Sequence, residues 1–378
     1  MKRFLKVISL IAACSLVIGF MQSYVMRPWD FNHLRTKGFY LEPQDSIDIV
    51  LLGQSDIVRS WSPLHNYENT GYTSYPLSCD GITAAMWLPM AKEAIRHQHP
   101  DLLVVDVNNV TYNEDMELHR PFDQQLVDDM PYDDIRLSLA LEARRTGSPR
   151  WLNYLFPLRE YHSGFPQGWR NVPEQIREIR DIEKRGYTYF KGDAQTCVSA
   201  GARDILDLNT AKETMELSAP YEKVLNDFLD YCDANQLNVL FLQTPHRIPN
   251  KESKLYASFK RASRAGEIIE ERGYPFINTE LLKEEIGLDM QKDFYNNAHL
   301  NLYGQHKYTD WLFNEIQTRG LLHCAPDHTA AVRAEWDECL KYYHAYTKYL
   351  PEYRPAKDTD MCMETPQLIE MLEKDYMN

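Results

Sequence analysis

Two short stretches of this chain carry groups suited to nucleophilic acyl chemistry. Ser55 lies in Leu52-Gly53-Gln54-Ser55-Asp56, directly after the apolar run at residues 47 to 52. A serine just past the carboxyl end of a buried strand is where an α/β protein exposes a nucleophile. The glycine permits the tight turn, and a following helical turn aims backbone N–H groups at an oxyanion. His299 lies in Asp293-Phe294-Tyr295-Asn296-Asn297-Ala298-His299-Leu300-Asn301, with Gly304 shortly after. A histidine in such a polar loop, ahead of an amphipathic helix, is suited to take the Ser55 proton as general base. Taken singly, each has a plainer reading, a turn serine and a capping or surface histidine.

Other constellations rank lower. His97-Gln98-His99 has a spacing that does not converge on one helix face and reads as a solvated helix end. Asp128-Asp129 and Asp133-Asp134 lack the spacing and glycine of a calcium loop and read as solvated turns. No P-loop, G-x-G-x-x-G or H-E-x-x-H occurs, and the sequence calls for no cofactor and no metal.

The elements that must position Ser55 and His299 follow from the hydrophobic pattern. Short apolar runs at 47–52, 102–107 (LLVVDV), 238–243 (NVLFLQ) and 275–277 predict buried strands. Between them, helical spacing covers 81–97, 211–234, 251–272 and 302–319, with Pro89 expected to kink or break the first. Nearly all-apolar strands alternating with helices imply a parallel sheet covered on both faces, with ligands beyond the carboxyl ends of its strands. From about 110 to 210 that rhythm fails. The stretch is rich in arginine and aromatics (Trp151, Tyr154, Phe156, Tyr161, Phe165, Trp169, Tyr187, Tyr189, Phe190) and is too long for a structureless loop. It is read as an inserted cap beside the site, most of its aromatics serving the packing of the cap and some available to stack on sugar rings. The expected organisation is an N-terminal segment 1–26, an α/β domain 27–320 with the insertion, and a helical tail 321–378 packing on it.

A G-x-S turn after the first strand and N-x-x-H-x-N-x-x-G before the last helix together resemble the SGNH (GDSL-like) hydrolases. The likeness is greatest to their membrane-anchored bacterial branch, similar to the D-alanyl transfer protein DltD and the alginate O-acetyltransferases. It runs in order from 47 to 319 and implies a three-layer α/β/α, flavodoxin-like fold. It further implies Ser55 as nucleophile and His299 as its base. The oxyanion hole it implies consists of the Ser55 N–H, a backbone N–H at Ser78 in the loop Tyr75–Gly81, and the side chain of Asn108, with Asn109 as second choice. Two departures stand out. Asn296 occupies the position of the family's acid, and an amide orients an imidazole without stabilising its cation; in a Ser-His-Asp protease that exchange costs about 10⁴ in rate. Asp293 could substitute if the loop bends, or the backbone could orient His299 as a dyad. Gln54 stands where the GDS signature has its acid.

Location is written in the first 26 residues. Val7 to Met26 is a 20-residue run without a charge, preceded by Lys2, Arg3 and Lys6. At about 1.5 Å per residue it matches a hydrocarbon core about 30 Å thick, and the basic start favours a cytoplasmic N-terminus. An uncleaved signal anchor is the preferred reading. Ile11-Ala12-Ala13-Cys14 resembles a lipobox, but the apolar run continues past Cys14. Cys79, Cys197, Cys232, Cys324, Cys339 and Cys362 form no C-x-x-C pair, which argues against zinc and leaves the compartment undecided.

Of 378 residues, 44% are hydrophobic and 25% charged, which excludes a disordered or polytopic chain. The net charge is −14; the first 26 residues contribute +3, leaving −17 on the remainder. Such a chain is unsuited to nucleic acid and to polyanions generally, unless Arg144, Arg145, Arg150 and Arg159 form a local basic groove. The expectation is therefore a single-pass protein of the bacterial cytoplasmic membrane with its body exported. It would carry out acyl-ester chemistry on a neutral envelope glycan or an acylated small molecule, transfer before hydrolysis. The resemblance adds a multispanning membrane acyltransferase as a partner. The alternatives are a catalytically weak or inactive binding or assembly subunit, and a lipase-like esterase that the tether disfavours.

Overall fold

The computed structural model describes residues 2–26, 28–112, 117–161, 172–208, 213–352 and 363–377, so Phe165, Trp169 and Cys362 lie outside the described residues. Five parallel strands form one sheet in the order β2-β1-β3-β4-β5: β1 (Ile49–Gly53), β2 (Ser74–Ser78), β3 (Leu102–Asp106), β4 (Val239–Gln243) and β5 (Phe276–Asn278). This is the flavodoxin-like order, whose direction of winding reverses between β1 and β3. Strand alternation divides the apolar side chains cleanly. Val50, Leu52, Leu103, Val105, Val239 and Phe241 face the larger core, with Trp87, Phe228 and Ile269 from helices Trp87–Gln98, Ala219–Asn235 and Lys254–Glu271. Ile49, Leu51, Leu102, Val104, Leu240 and Leu242 face the opposite core, with Tyr308, Leu312 and Ile316 of the Leu302–Thr318 helix. The result is the three-layer α/β/α arrangement.

Two details depart from the hydrophobic pattern. Residues 75–78, expected in the loop Tyr75–Gly81, belong to a strand, Ser74–Ser78. β2 is at the sheet edge, where Pro76 withholds no ladder hydrogen bond that a central strand would need. Pro89 neither kinks nor breaks its helix, because a 3₁₀ turn at Ala84–Met86 precedes it and the α-helix starts at Trp87. Pro89 is thus in the first turn, where its missing N–H has no intrahelical acceptor to lose.

The insertion and the tail are tied into the body. Tyr154 and Phe190 are buried, Tyr189 stacks on Tyr342 at 3.6 Å between centroids, and Phe190 packs on Tyr346 at 4.8 Å. The Ala330–Tyr349 helix sends Trp336, Cys339 and Tyr343 into the larger core. Lys191, fully buried, joins Glu42 (2.8 Å) to Glu335 (2.5 Å), linking the insertion to the segment before β1 and to the Ala330–Tyr349 helix. Among the described residues no disulfide forms. The Lys2–Phe20 helix continues into a π-helical turn, Met21–Met26, and Arg3–Val25 is long and apolar enough to cross a membrane, with its apolar stretch outside the protein core.

Candidate functional site

The site forms at the carboxyl ends of the strands, beside the point where the winding reverses. β1 ends at Gly53, where a Cβ would stand 2.8 Å from Ile57 and 3.1 Å from Asp106, so the first turn after the strand can close only over a glycine. Gln54 is extended, and Ser55 opens the short helix Ser55–Val58. Its N–H therefore has no carbonyl partner within that turn. One turn on, buried Arg59 lies over the rings of Phe31 (6.0 Å) and Tyr295 (5.8 Å), joining the serine turn to the histidine loop.

The histidine loop is built by the rest of its motif. Asn301 caps the Leu302–Thr318 helix by accepting from the N–H groups of Tyr303 and Gly304, while its amide donates to the Lys292 carbonyl. Gly304 lets the helix approach the Asp293 carbonyl, which a Cβ would meet at 2.3 Å. Tyr295 N–H donates to the His299 carbonyl at 2.9 Å, and Phe294 bridges Leu300. The end of the insertion braces this loop: Ala200 N–H donates to Phe294, Leu302 N–H donates to Thr196, and Arg247 reaches both Asn297, through its backbone N–H, and Gly201, through its guanidinium.

These two loops bring Ser55 Oγ to 2.9 Å from His299 Nε2, across 244 residues of sequence. Asn296 holds the other ring nitrogen, its Nδ2 lying 3.0 Å from His299 Nδ1. The orientation of that amide is fixed, because Asn296 Oδ1 accepts from the N–H groups of Ala298 (2.8 Å) and His299 (2.9 Å). An amide N–H pointing at Nδ1 requires a lone pair there, which puts the proton of neutral His299 on Nε2, facing Ser55. A carboxylate at 296 would select the opposite tautomer.

The remaining expected residues are placed as follows. Asp293 does not reach the imidazole: its buried carboxylate accepts from Lys307 Nζ (2.6 Å) and the Asp289 N–H (2.7 Å), which corrects the expectation that it stands in for the missing acid. The physical reason is the tight Gly304 contact, which fixes the Asp293 backbone against the helix. Ser78 ends β2 in register with Gly53, its hydroxyl donating to the Gln54 carbonyl at 3.0 Å. Asn108 Nδ2 lies 2.9 Å from Thr244 Oγ1 and 3.2 Å from His246 Nε2, and Asn109 Nδ2 donates to the Ile82 carbonyl, so both amides are engaged within the fold.

Sequence reasoning missed a buried charge cluster under the pair. Asp56 Oδ1 is 3.2 Å from His246 Nε2 and 3.8 Å from His299 Nε2. His246 Nδ1 meets Glu280 at 2.5 Å, and Glu280 meets Lys283 at 2.9 Å. A signal existed: His246 and Glu280 each lie just beyond an apolar run, as Ser55 does. Among the described residues no group of three or more His, Cys, Asp or Glu is placed to hold a metal ion. In the insertion, Arg145 is paired with Glu142 and Arg150 with Glu160, so these two charges are offset locally, while Arg144 lies over Trp151 at 5.2 Å.

No model of a known protein family matches the chain, and no curated protein matches it in sequence. A solved structure that resembles it is a protein of Bacteroides fragilis described as a "putative acylhydrolase", with 11% sequence identity and a TM-score of 0.37 over 77% of this chain and 99% of that one. An overlap this low assigns the chain neither a family nor an activity.

Proposed function

We propose that the chain is a membrane-tethered Ser–His acyl-ester enzyme, an O-acyltransferase or esterase for a neutral envelope glycan. The observation that carries this reading is the 2.9 Å contact between Ser55 Oγ and His299 Nε2 at the carboxyl end of a parallel sheet. In the reaction, once the imidazole proton has moved from Nε2 to Nδ1, Oγ attacks an ester carbonyl carbon as its own proton passes to Nε2. The tetrahedral oxyanion is met by the Ser55 N–H, with Ser78 N–H as the second donor. Collapse expels the first alcohol, which takes the proton from Nε2, and leaves acyl-Ser55. A glycan hydroxyl, or water in the esterase, then gives its proton to Nε2, attacks the acyl carbon and releases Ser55. Asn108 joins the oxyanion hole only if its amide turns away from Thr244 and His246. The Arg3–Val25 span supports a tether, and the −17 on the remainder supports an uncharged acceptor over a polyanion.

The Asn296 amide favours a second reading, a weak or inactive subunit of an envelope-modifying assembly. With the imidazole proton on Nε2, the resting site cannot accept the serine proton until the tautomer exchanges. Labelling of the full-length protein by a fluorophosphonate separates the two. The enzyme reading expects label on wild type and none on Ser55→Ala. A folded wild type that takes no label at Ser55 rejects it in favour of the subunit.

A further inference from the structure

The Ser–His pair leaves the buried cluster beneath it unexplained. It runs from Asp56, 5% exposed, through His246 and Glu280 to Lys283, whose Nζ also donates to the His246 carbonyl at 2.9 Å. The signs alternate: carboxylate, imidazolium, carboxylate, ammonium. Three of its members lie at strand ends, Asp56 beyond β1, His246 beyond β4 and Glu280 beyond β5. Asp106, at the end of β3, faces the same cluster, and its hydrogen-bond partners among the described residues are neutral, the Thr244 hydroxyl and the Asn108 N–H.

We propose that Asp56 is the acid of this site, supplying at the Nε2 edge of His299 the negative charge that Asn296 cannot supply at Nδ1. This rests on the Ser–His reading above. When Ser55 gives up its proton, the new N–H of His299 lies on Nε2, and the Asp56 carboxylate stands 3.8 Å from that nitrogen. Opposite charges that close, away from water, favour the charged imidazole in the transition state. Burial alone would drive Asp56 to its neutral form. The His246 bond and charge, together with His299, outweigh burial and hold Asp56 below the usual carboxylate range. His246 is kept charged in turn: burial opposes it, but Glu280 and Asp56 push it up to about 10. Asp56 supplies charge and leaves the tautomer set by Asn296 unchanged, so the two residues act on different terms of the same proton transfer.

The test is the pH dependence of Ser55 labelling in the full-length protein. Asp56→Asn is expected to slow labelling about 10- to 100-fold and to lower the midpoint of its rise with pH by about half a unit or more, because an imidazole deprived of a nearby anion loses its proton sooner. Asp56→Glu, which keeps the charge, should retain the wild-type midpoint. Adding Asn296→Asp to Asp56→Asn should restore most of the rate, since a carboxylate at Nδ1 makes the one at Nε2 dispensable. A merely structural Asp56 would lower thermal stability with no shift in midpoint and no rescue. If Asp56→Asn does not fold, Asp56→Ser carries the same expectation. A neutral variant with unchanged rate and midpoint, or a double variant no faster than the single, overturns the proposal while leaving Ser55 a nucleophile. Absence of label on wild-type Ser55 removes the Ser–His reading first, and this proposal with it.

Discussion

At the scale of single residues, one amide decides how well the pair can work. Asn296 keeps the loop geometry, since its oxygen accepts the Ala298 and His299 N–H groups. What changes is the atom facing Nδ1, a donor where a carboxylate would accept. Asn296→Asp preserves both backbone bonds and reverses the tautomer. It should therefore raise the rate of Ser55 acylation, by up to about 10⁴ if tautomer and charge are both limiting. Acetyl-ester hydrolysis by the purified protein reads this directly. An unchanged rate would mean that the imidazole already exchanges its proton freely and that Asp56 meets the charge requirement alone.

At the scale of elements, the histidine is only as well placed as the contact between its loop and the Leu302–Thr318 helix. Gly304 makes that contact possible, with the Asp293 carbonyl where a side chain would otherwise begin. Backbone cannot retreat as a flexible side-chain end can. Gly304→Ala is therefore expected to push the loop from the helix start, costing about 1–3 kcal/mol of stability and separating His299 from Ser55. Thermal unfolding and Ser55 labelling should fall together. A variant with wild-type Tm and labelling would show that the motif glycine has another purpose. The same contact explains why Asp293 is unavailable: the Gly304 approach fixes its backbone, and Lys307 holds its carboxylate.

At the scale of the whole molecule, several buried groups tie stability to pH. Asp123 and Asp193 have mainly neutral partners, and burial pushes each up to about 6. Burial and the charge of Asp56 push Asp106 up to about 7. A carboxyl whose folded pKa is raised stabilises below its unfolded value, near 4, and loses that contribution as pH rises through 6 to 7. His246, raised to about 10, acts in the same direction, its contribution being lost between about 6.5 and 10. His119 and His306, lowered by burial to about 4 and about 3, act oppositely, yet only below about 6.5. From pH 6.5 to 8 Asp106 and His246 are left, and Tm should fall with rising pH. Asp106→Asn should flatten part of that slope. A Tm that rises across this window would contradict the assignment.

The sequence by itself determined the parallel α/β/α fold, through apolar runs whose period and length report burial on both faces. It also determined the candidates Ser55 and His299 and the span able to cross a membrane, because each depends on local pattern: a strand end, a capped loop, an uncharged run. It did not reveal β2, since Pro76 and a mixed composition hide an edge strand. Only the tertiary structure decided which acids meet which histidines. Asp56 was visible beside Ser55, but its partners His246 and Glu280 come from the ends of β4 and β5. Asp293, close to His299 in sequence, is turned away by a helix contact. Hydrogen bonds and charges act over a few ångströms in space, and sheet order sets those distances.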